Sequence, residues 1–173
     1  VYCSDREVSS GYTYSATDEF NYASYKRFDD DNKGKNAKPT YDCTNIKDAF
    51  SGSNTEAKLT YPVALLTADE IVYAGGHIST GLTSPYTWYY LNSAGGSITG
   101  RTLWWSLTPY SYYFNASAAW VIEGSSSNQA GYISGSYTVA NSWGVRPVIS
   151  IKSDALYSSG DGSPENPYEI VYN

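Results

Sequence analysis

Apolar and polar positions change rhythm along this chain, and the change divides it. Residues 1–61 hold most of the charge, with short apolar groups set between Asp, Asn, Ser and Lys. Ser15-Ala-Thr-Asp-Glu19 reads as a helix start, and Phe20, Ala23 and Ser24 share one helical face, which predicts a helix over 16–28. Asp29-Asp-Asp-Asn-Lys-Gly-Lys-Asn36 reads as a loop. Thr44 reads as the cap of a short helix carrying Ile46, Ala49 and Phe50, and residues 51–55 as a further turn.

A different pattern begins at Pro62. Residues 62–66 are a short apolar run, the pattern of a buried strand, and lead directly into Thr67-Ala-Asp-Glu70. That is a capping box with acids in the first turn, so a helix over 68–74 is predicted, stopped by Gly75-Gly76. Beyond it the chain reads as strand and loop. Candidate strands are 87–91, 102–107, 119–123, 131–134, 145–151 and 168–171, separated by Gly, Ser and Asn turns. Pro147 inside one of them requires an edge position or a bulge. The predicted class is α+β, with small, mostly antiparallel sheets, a few short helices and long ordered loops. A polar N-terminal region, 1–61, precedes a domain over 62–173, and the two are open to being parts of one domain.

Composition sharpens the second region. Between Ile71 and Val145 the only charged side chains are Arg101 and Glu123, yet all five tryptophans and a dense set of tyrosines fall there, among Ser, Gly, Asn and Thr. So much Ser, Asn and Gly cannot all be core, and so many large rings do not suit a disordered tail. Rigid aromatic contact area combined with adaptable polar groups is the composition of a recognition surface. Trp104, Trp120 and Trp143 stand in or beside predicted strands and read as core. Trp88, Tyr89, Tyr90, Tyr110, Tyr112, Tyr113, Tyr132 and Tyr137, with Asn115, Asn128 and Asn141, are the ligand-contact candidates. Asn115-Ala-Ser117 is also a formal glycosylation sequon.

The net charge of −6 argues against nucleic acid or an anionic membrane as partner. No apolar run approaches a membrane span. The chain has no methionine, which points to a mature N-terminus or a fragment. Cys3 and Cys43 are the only cysteines. They read as a disulfide formed in an oxidising, extracellular compartment, with two unlinked thiols as the alternative.

Several segments then follow one another in an order that resembles a known group: Leu66-Thr-Ala-Asp-Glu-Ile-Val-Tyr-Ala-Gly-Gly76, Trp105-Ser-Leu-Thr-Pro109, Trp143-Gly-Val-Arg-Pro-Val-Ile-Ser-Ile-Lys-Ser-Asp154, Ser159-Gly-Asp-Gly-Ser163 and Asn166-Pro-Tyr168. The series is similar to bacterial cell-surface modules of C-type-lectin-like fold, distant relatives of the formylglycine-generating enzyme and of the variable receptors of diversity-generating retroelements. The resemblance covers roughly residues 62–171 and implies a scaffold holding variable loops on one face. In the retroelement receptors the varied positions precede a motif like Gly144-Val-Arg-Pro147, which here corresponds to 110–143.

Chemistry is weakly signalled. The sugar-site triplets and the Trp-Asn-Asp of calcium-dependent lectins are absent, and the acidic loop from Asp29 lacks EF-hand spacing, so neither a metal nor any other cofactor is expected. Formylglycine-type catalysis needs reactive cysteines in the lectin-like core, whereas Cys3 and Cys43 lie outside the similar region. His77 is the only histidine and reads as a surface or hydrogen-bonded residue rather than a base. Asp69 and Glu70 read as helix-start acids rather than a glycosidase pair. Arg146 is expected half-buried and paired with a carboxylate (Glu123 or Asp154) or backbone carbonyls, with an anion clamp as the alternative. The expected function is therefore non-enzymatic: an extracellular or cell-surface adhesion module binding protein or glycan. The alternative is a filament subunit that self-assembles through the same aromatic face.

Overall fold

The computed structural model describes residues 1–28, 38–74, 77–78, 103–113, 116–123, 132–151, 153–162 and 165–171. Its longest element is the strand β6, Leu103–Tyr113, and most of the fold is arranged about it. The short N-terminal strands are β1 (Tyr2–Cys3), β2 (Phe20–Asn21) and β3 (Ala49–Phe50). β4 is Val63–Leu65, β5 His77–Ile78, β7 Ala116–Glu123, β8 Tyr132–Thr138 and β9 Pro147–Ile149; β10 (Leu156–Ser159) and β11 (Glu169–Val171) complete the set. Two helices, α1 (Ala23–Phe28) and α2 (Ala68–Tyr73), and a 3-10 turn, Ile46–Asp48, lie between them.

A five-stranded sheet has the order β2-β6-β7-β8-β5, antiparallel except for the β5–β8 pair. Three two-stranded antiparallel sheets, β1–β3, β4–β9 and β10–β11, complete an α+β architecture. In β6 the buried positions alternate through Trp104, Ser106 and Thr108, the period of a strand with one face inward. At Pro109 the alternation breaks, and the next buried residue is Ser111. The ladder to β7 shifts register on both sides of Pro109. Proline has no N–H to give a central strand, so the irregularity falls where the chain could not have paired regularly. Its carbonyl accepts from Ser24 Oγ of α1 at 2.6 Å.

Among the described residues the core gathers Trp104 of β6, Ile133 of β8, Ala68 and Ile71 of α2 and Phe28 of α1, with Leu66, Val72 and Tyr110 packed against it. Full burial of each large side chain contributes about 1.5–3 kcal/mol. Polar groups fix the register of the helices on the sheet. Thr67 caps α2: its Oγ1 accepts from Glu70 N, and the Glu70 carboxylate accepts from Thr67 N at 2.8 Å. Ala68 N, another donor with no partner inside the helix, donates to the fully buried Thr108 Oγ1 at 2.9 Å.

The N-terminal segment is sewn to this frame. β2 supplies the sheet edge beside the second half of β6, while Leu66 and Gly144 bond to its first half. Ser4 Oγ donates to Leu107 O and Tyr2 Oη to Val148 O. The Cys3–Cys43 disulfide is formed, with Cα atoms 5.6 Å apart, and it fits an oxidising, extracellular-type environment. Beneath it Arg27 of α1 bonds to both Asp69 oxygens at 3.2 and 3.1 Å, and to Asp5; Asp69 also accepts from Thr40 N at 2.9 Å. Burial disfavours the Arg27 charge, but the two carboxylates outweigh it and raise the guanidinium pKa further.

Several expectations change. The helix over 16–28 begins only at Ala23, because Phe20 and Asn21 pair with Tyr112 and Ser111 as strand. The Ser15 start signal is real but closes a local turn, its Oγ accepting from Thr17 N and Asp18 N. Asn45, not Thr44, caps only a 3-10 turn, and Ala49–Phe50 pairs with β1 instead of continuing a helix. The run 62–66 forms β4, but half-buried, with Val63 exposed. β6 and β7 are longer than the predicted 102–107 and 119–123, and β8 extends to Thr138. β10 is an addition, joined to β11 through a turn in which Gly160 has φ +96° and no room for a Cβ against Pro167 O. Pro147 does lie in a two-stranded sheet, opposite Leu65. The loop 29–36, the Gly75-Gly76 stop and the strand 87–91 lie outside the described residues.

Removing the Thr108 hydroxyl leaves Ala68 N buried without an acceptor, which costs roughly 1–3 kcal/mol. Thr108→Val is therefore expected to lower unfolding free energy in urea more than Thr67→Ala, for which loss of a cap predicts about 1 kcal/mol.

Candidate functional site

The second half of β6 carries Tyr110, Tyr112 and Tyr113, and the structure treats the three differently. Tyr110 is turned onto the core, tilted against Tyr25 at 5.4 Å. Its ring also fills the space over Gly135, where a Cβ would come within 2.3 Å. Tyr112 is half-buried and stacks on Phe20 with 5.7 Å between ring centres, and its hydroxyl donates to Ala16 O at 3.0 Å. Tyr113 is 52 % exposed.

Phe20 is a buried hub at the sheet edge. Around it stand Tyr112, Tyr14 at 5.3 Å and Tyr22 at 5.2 Å, the last in an edge-to-face arrangement. Such ring pairs contribute about 0.5–1.5 kcal/mol each beyond buried area. The Ser15 turn holds the Tyr14–Ala16 backbone over Tyr112, and Tyr14 remains 70 % exposed, with Tyr12 also exposed. The cluster anchored on Phe20 thus presents Tyr14 to solvent, with Tyr12 and Tyr113 exposed at neighbouring positions of the chain. Tyr12, Tyr14, Phe20 and Tyr22 were not among the sequence candidates. The i, i+2 spacing within each pair is strand spacing and was the available signal, overshadowed at 20–24 by a pattern that also fits a helix.

On β8, Tyr137 packs edge-to-face on Trp143 at 5.4 Å, both half-buried. Asn141 lies exposed in the turn after β8, its N–H on Thr138 O at 3.0 Å. Tyr132 pairs through its backbone with Glu123 on one side and His77 on the other. Trp88, Tyr89, Tyr90, Asn115 and Asn128 lie outside the described residues. Among the described residues the structure groups Tyr112 with N-terminal rings and Tyr137 with Trp143.

Groups weighed for chemistry have structural work. Asp69 holds Arg27 and Glu70 closes the capping box. Arg146 is buried, deeper than expected, with its guanidinium carbon 4.8 Å from the centre of a Trp104 ring, a cation–π contact. Trp104 is core, as its strand position suggested. Aromatic faces and hydroxyls at a sheet edge are equipped for stacking and hydrogen bonding.

Burial and the neighbouring Tyr14 raise the Tyr22 pKa above the ordinary 10.0, with Arg6 opposing. A raised folded-state value means the contribution is complete below the unfolded value and is lost as pH rises through the folded one. Urea unfolding between about pH 9 and about pH 11 is expected to show falling stability, with a shallower fall in Tyr22→Phe.

The profile of a family described as a domain of unknown function (DUF6273) matches residues 2–153. No curated protein and no solved structure matches the chain. The match runs from β1 through the core sheet to just past β9, and by it the protein belongs to the DUF6273 family.

Proposed function

We propose that this chain is an extracellular ligand-binding or adhesion module of a bacterial surface protein, built on a C-type-lectin-like frame. It engages protein or glycan through Tyr, Trp, Asn and Ser side chains and carries out no reaction. The observation that carries the reading is the exposure of Tyr14 against the buried Phe20, with Tyr113 also exposed at the position of β6 after Tyr112. Rings held in place beforehand lose little entropy on binding, which favours affinity. The disulfide, and the absence among the described residues of any helix long and apolar enough to cross a membrane, accord with it.

A second reading, a structural subunit of a surface filament, is favoured by the outer face of β9. Val145, Pro147, Ile149 and Ile151 alternate outward, Ile149 66 % exposed and paired with exposed Val63, while Arg146 points inward. An apolar stripe of this kind marks a contact surface.

Tyr112 is a poor probe of the binding reading, because its loss would also disturb Phe20 and the Ala16 contact. Tyr113→Ala and Trp88→Ala are expected to weaken binding on glycan and cell-surface arrays while leaving Tm within a few degrees; binding equal to wild type would overturn the reading. For the filament reading, sedimentation velocity is expected to show concentration-dependent assembly that Ile149→Asp abolishes, and a monomer at all concentrations would exclude it.

A further inference from the structure

A second aromatic feature, apart from the ring contacts of Phe20, joins the last residue of α2 to the segment before Cys43. Tyr41 and Tyr73 stack face to face, 4.3 Å between centres and 11° between planes, although they are 68 % and 50 % exposed. Tyr73 Oη donates to Pro39 O at 2.9 Å, which holds the pair to the segment that carries Tyr41. Two residues on, Cys43 is tied to Cys3, so the platform is braced from both ends.

Tyr41 forms one wall of a cleft. Two adjoining pockets of about 50 and 210 Å³ share Cys3, Asp5, Arg27, Thr40 and Asp42 as lining. The positive charge at the floor is already satisfied, since Arg27 is held between Asp5 and Asp69. Asp48 is paired with Arg6. Asp42 and Glu7, both exposed and on the rim, make no ion pair among the described residues. Among those residues no group of three or more His, Cys, Asp or Glu side chains converges to hold a metal ion.

We propose that this Tyr41-walled cleft is a second binding site, which takes the ammonium or guanidinium group of a Lys or Arg side chain presented by a partner protein. An exposed aromatic face attracts a cation through its ring quadrupole. The adjacent Asp42 carboxylate supplies a charged acceptor, and the chain's net charge of −6 draws a basic partner in. Tyr41 lines the smaller pocket and the adjoining one of about 210 Å³ receives the rest of an alkyl-ammonium arm, while the braced wall needs no ordering when the arm enters. The site is separate from the one proposed above and stands independently of it.

The probes are N-acetyl-lysine methylamide and N-acetyl-arginine methylamide, with N-acetyl-norleucine methylamide as the uncharged control. Titration followed by the backbone amide shifts of Thr40, Tyr41 and Asp42 is expected to saturate with both cations, more tightly at low salt, and not with the control. Tyr41→Ala should weaken binding roughly two- to five-fold, and Tyr41→Phe should preserve it. Asp42→Asn should weaken it and flatten its salt dependence. Tyr113→Ala should leave it unchanged, which separates this site from the first. Equal response to the norleucine probe, or no saturation with either cation, would overturn the proposal. Because Tyr41 and Asp42 are exposed, both variants are expected to fold.

Discussion

The ion cluster of Arg27, Asp69 and Asp5 is the constraint on which the rest of the arrangement depends. It joins four parts of the chain that are distant in sequence: the segment after β1, the end of α1, the backbone at Thr40 and the first turn of α2. Breaking a buried pair by removing one partner typically costs about 3–5 kcal/mol, because the remaining charge is stranded. That is comparable with the burial of two large apolar side chains. The cluster also sets positions. α2 can dock on Thr108 and α1 can present Phe28 to Trp104 only if both helices approach from the side where the guanidinium lies.

Around that centre the protein separates its rings by task. Trp104, Phe28 and Phe20 are buried and hold elements together. Tyr110, Tyr112 and Tyr137 stand halfway, each packed against another ring. Tyr14, Tyr41 and Tyr113 show most of their surface to water. Residue type alone does not make this division. For the rings of β6 it follows from which side of a bulged strand each one leaves, the ladder being interrupted at Pro109.

How much of this could be read in the sequence depended on how local the cause was. The capping box at Thr67 and Glu70 and the edge position of Pro147 are decided by neighbouring residues, and both are found where the pattern places them. The disulfide was legible because only one pair existed. The helix at 16–28 was misjudged in its first half, since nothing near Phe20 announces that Tyr112, ninety-two positions on, will take it as a strand partner. The same distance hid the aromatic cluster: the candidate tyrosines were sought within one uncharged stretch, whereas Tyr14 and Phe20 come from the charged N-terminal part. Arg146 was expected to meet a carboxylate or backbone carbonyls; its contact with the Trp104 ring is a further one, recognisable only once Gly144 had bonded to both Leu103 and Trp105.

The covalent link between Cys3 and Cys43 spans forty positions, and Tyr14, Phe20, Tyr22 and Arg27 all lie inside that span. A secreted protease that severs any one peptide bond within it yields two pieces still fastened by sulfur, so the rings and the guanidinium are not carried off by diffusion. In an oxidising environment the protein nicked there thus keeps both pieces joined until a thiol reductant reaches it.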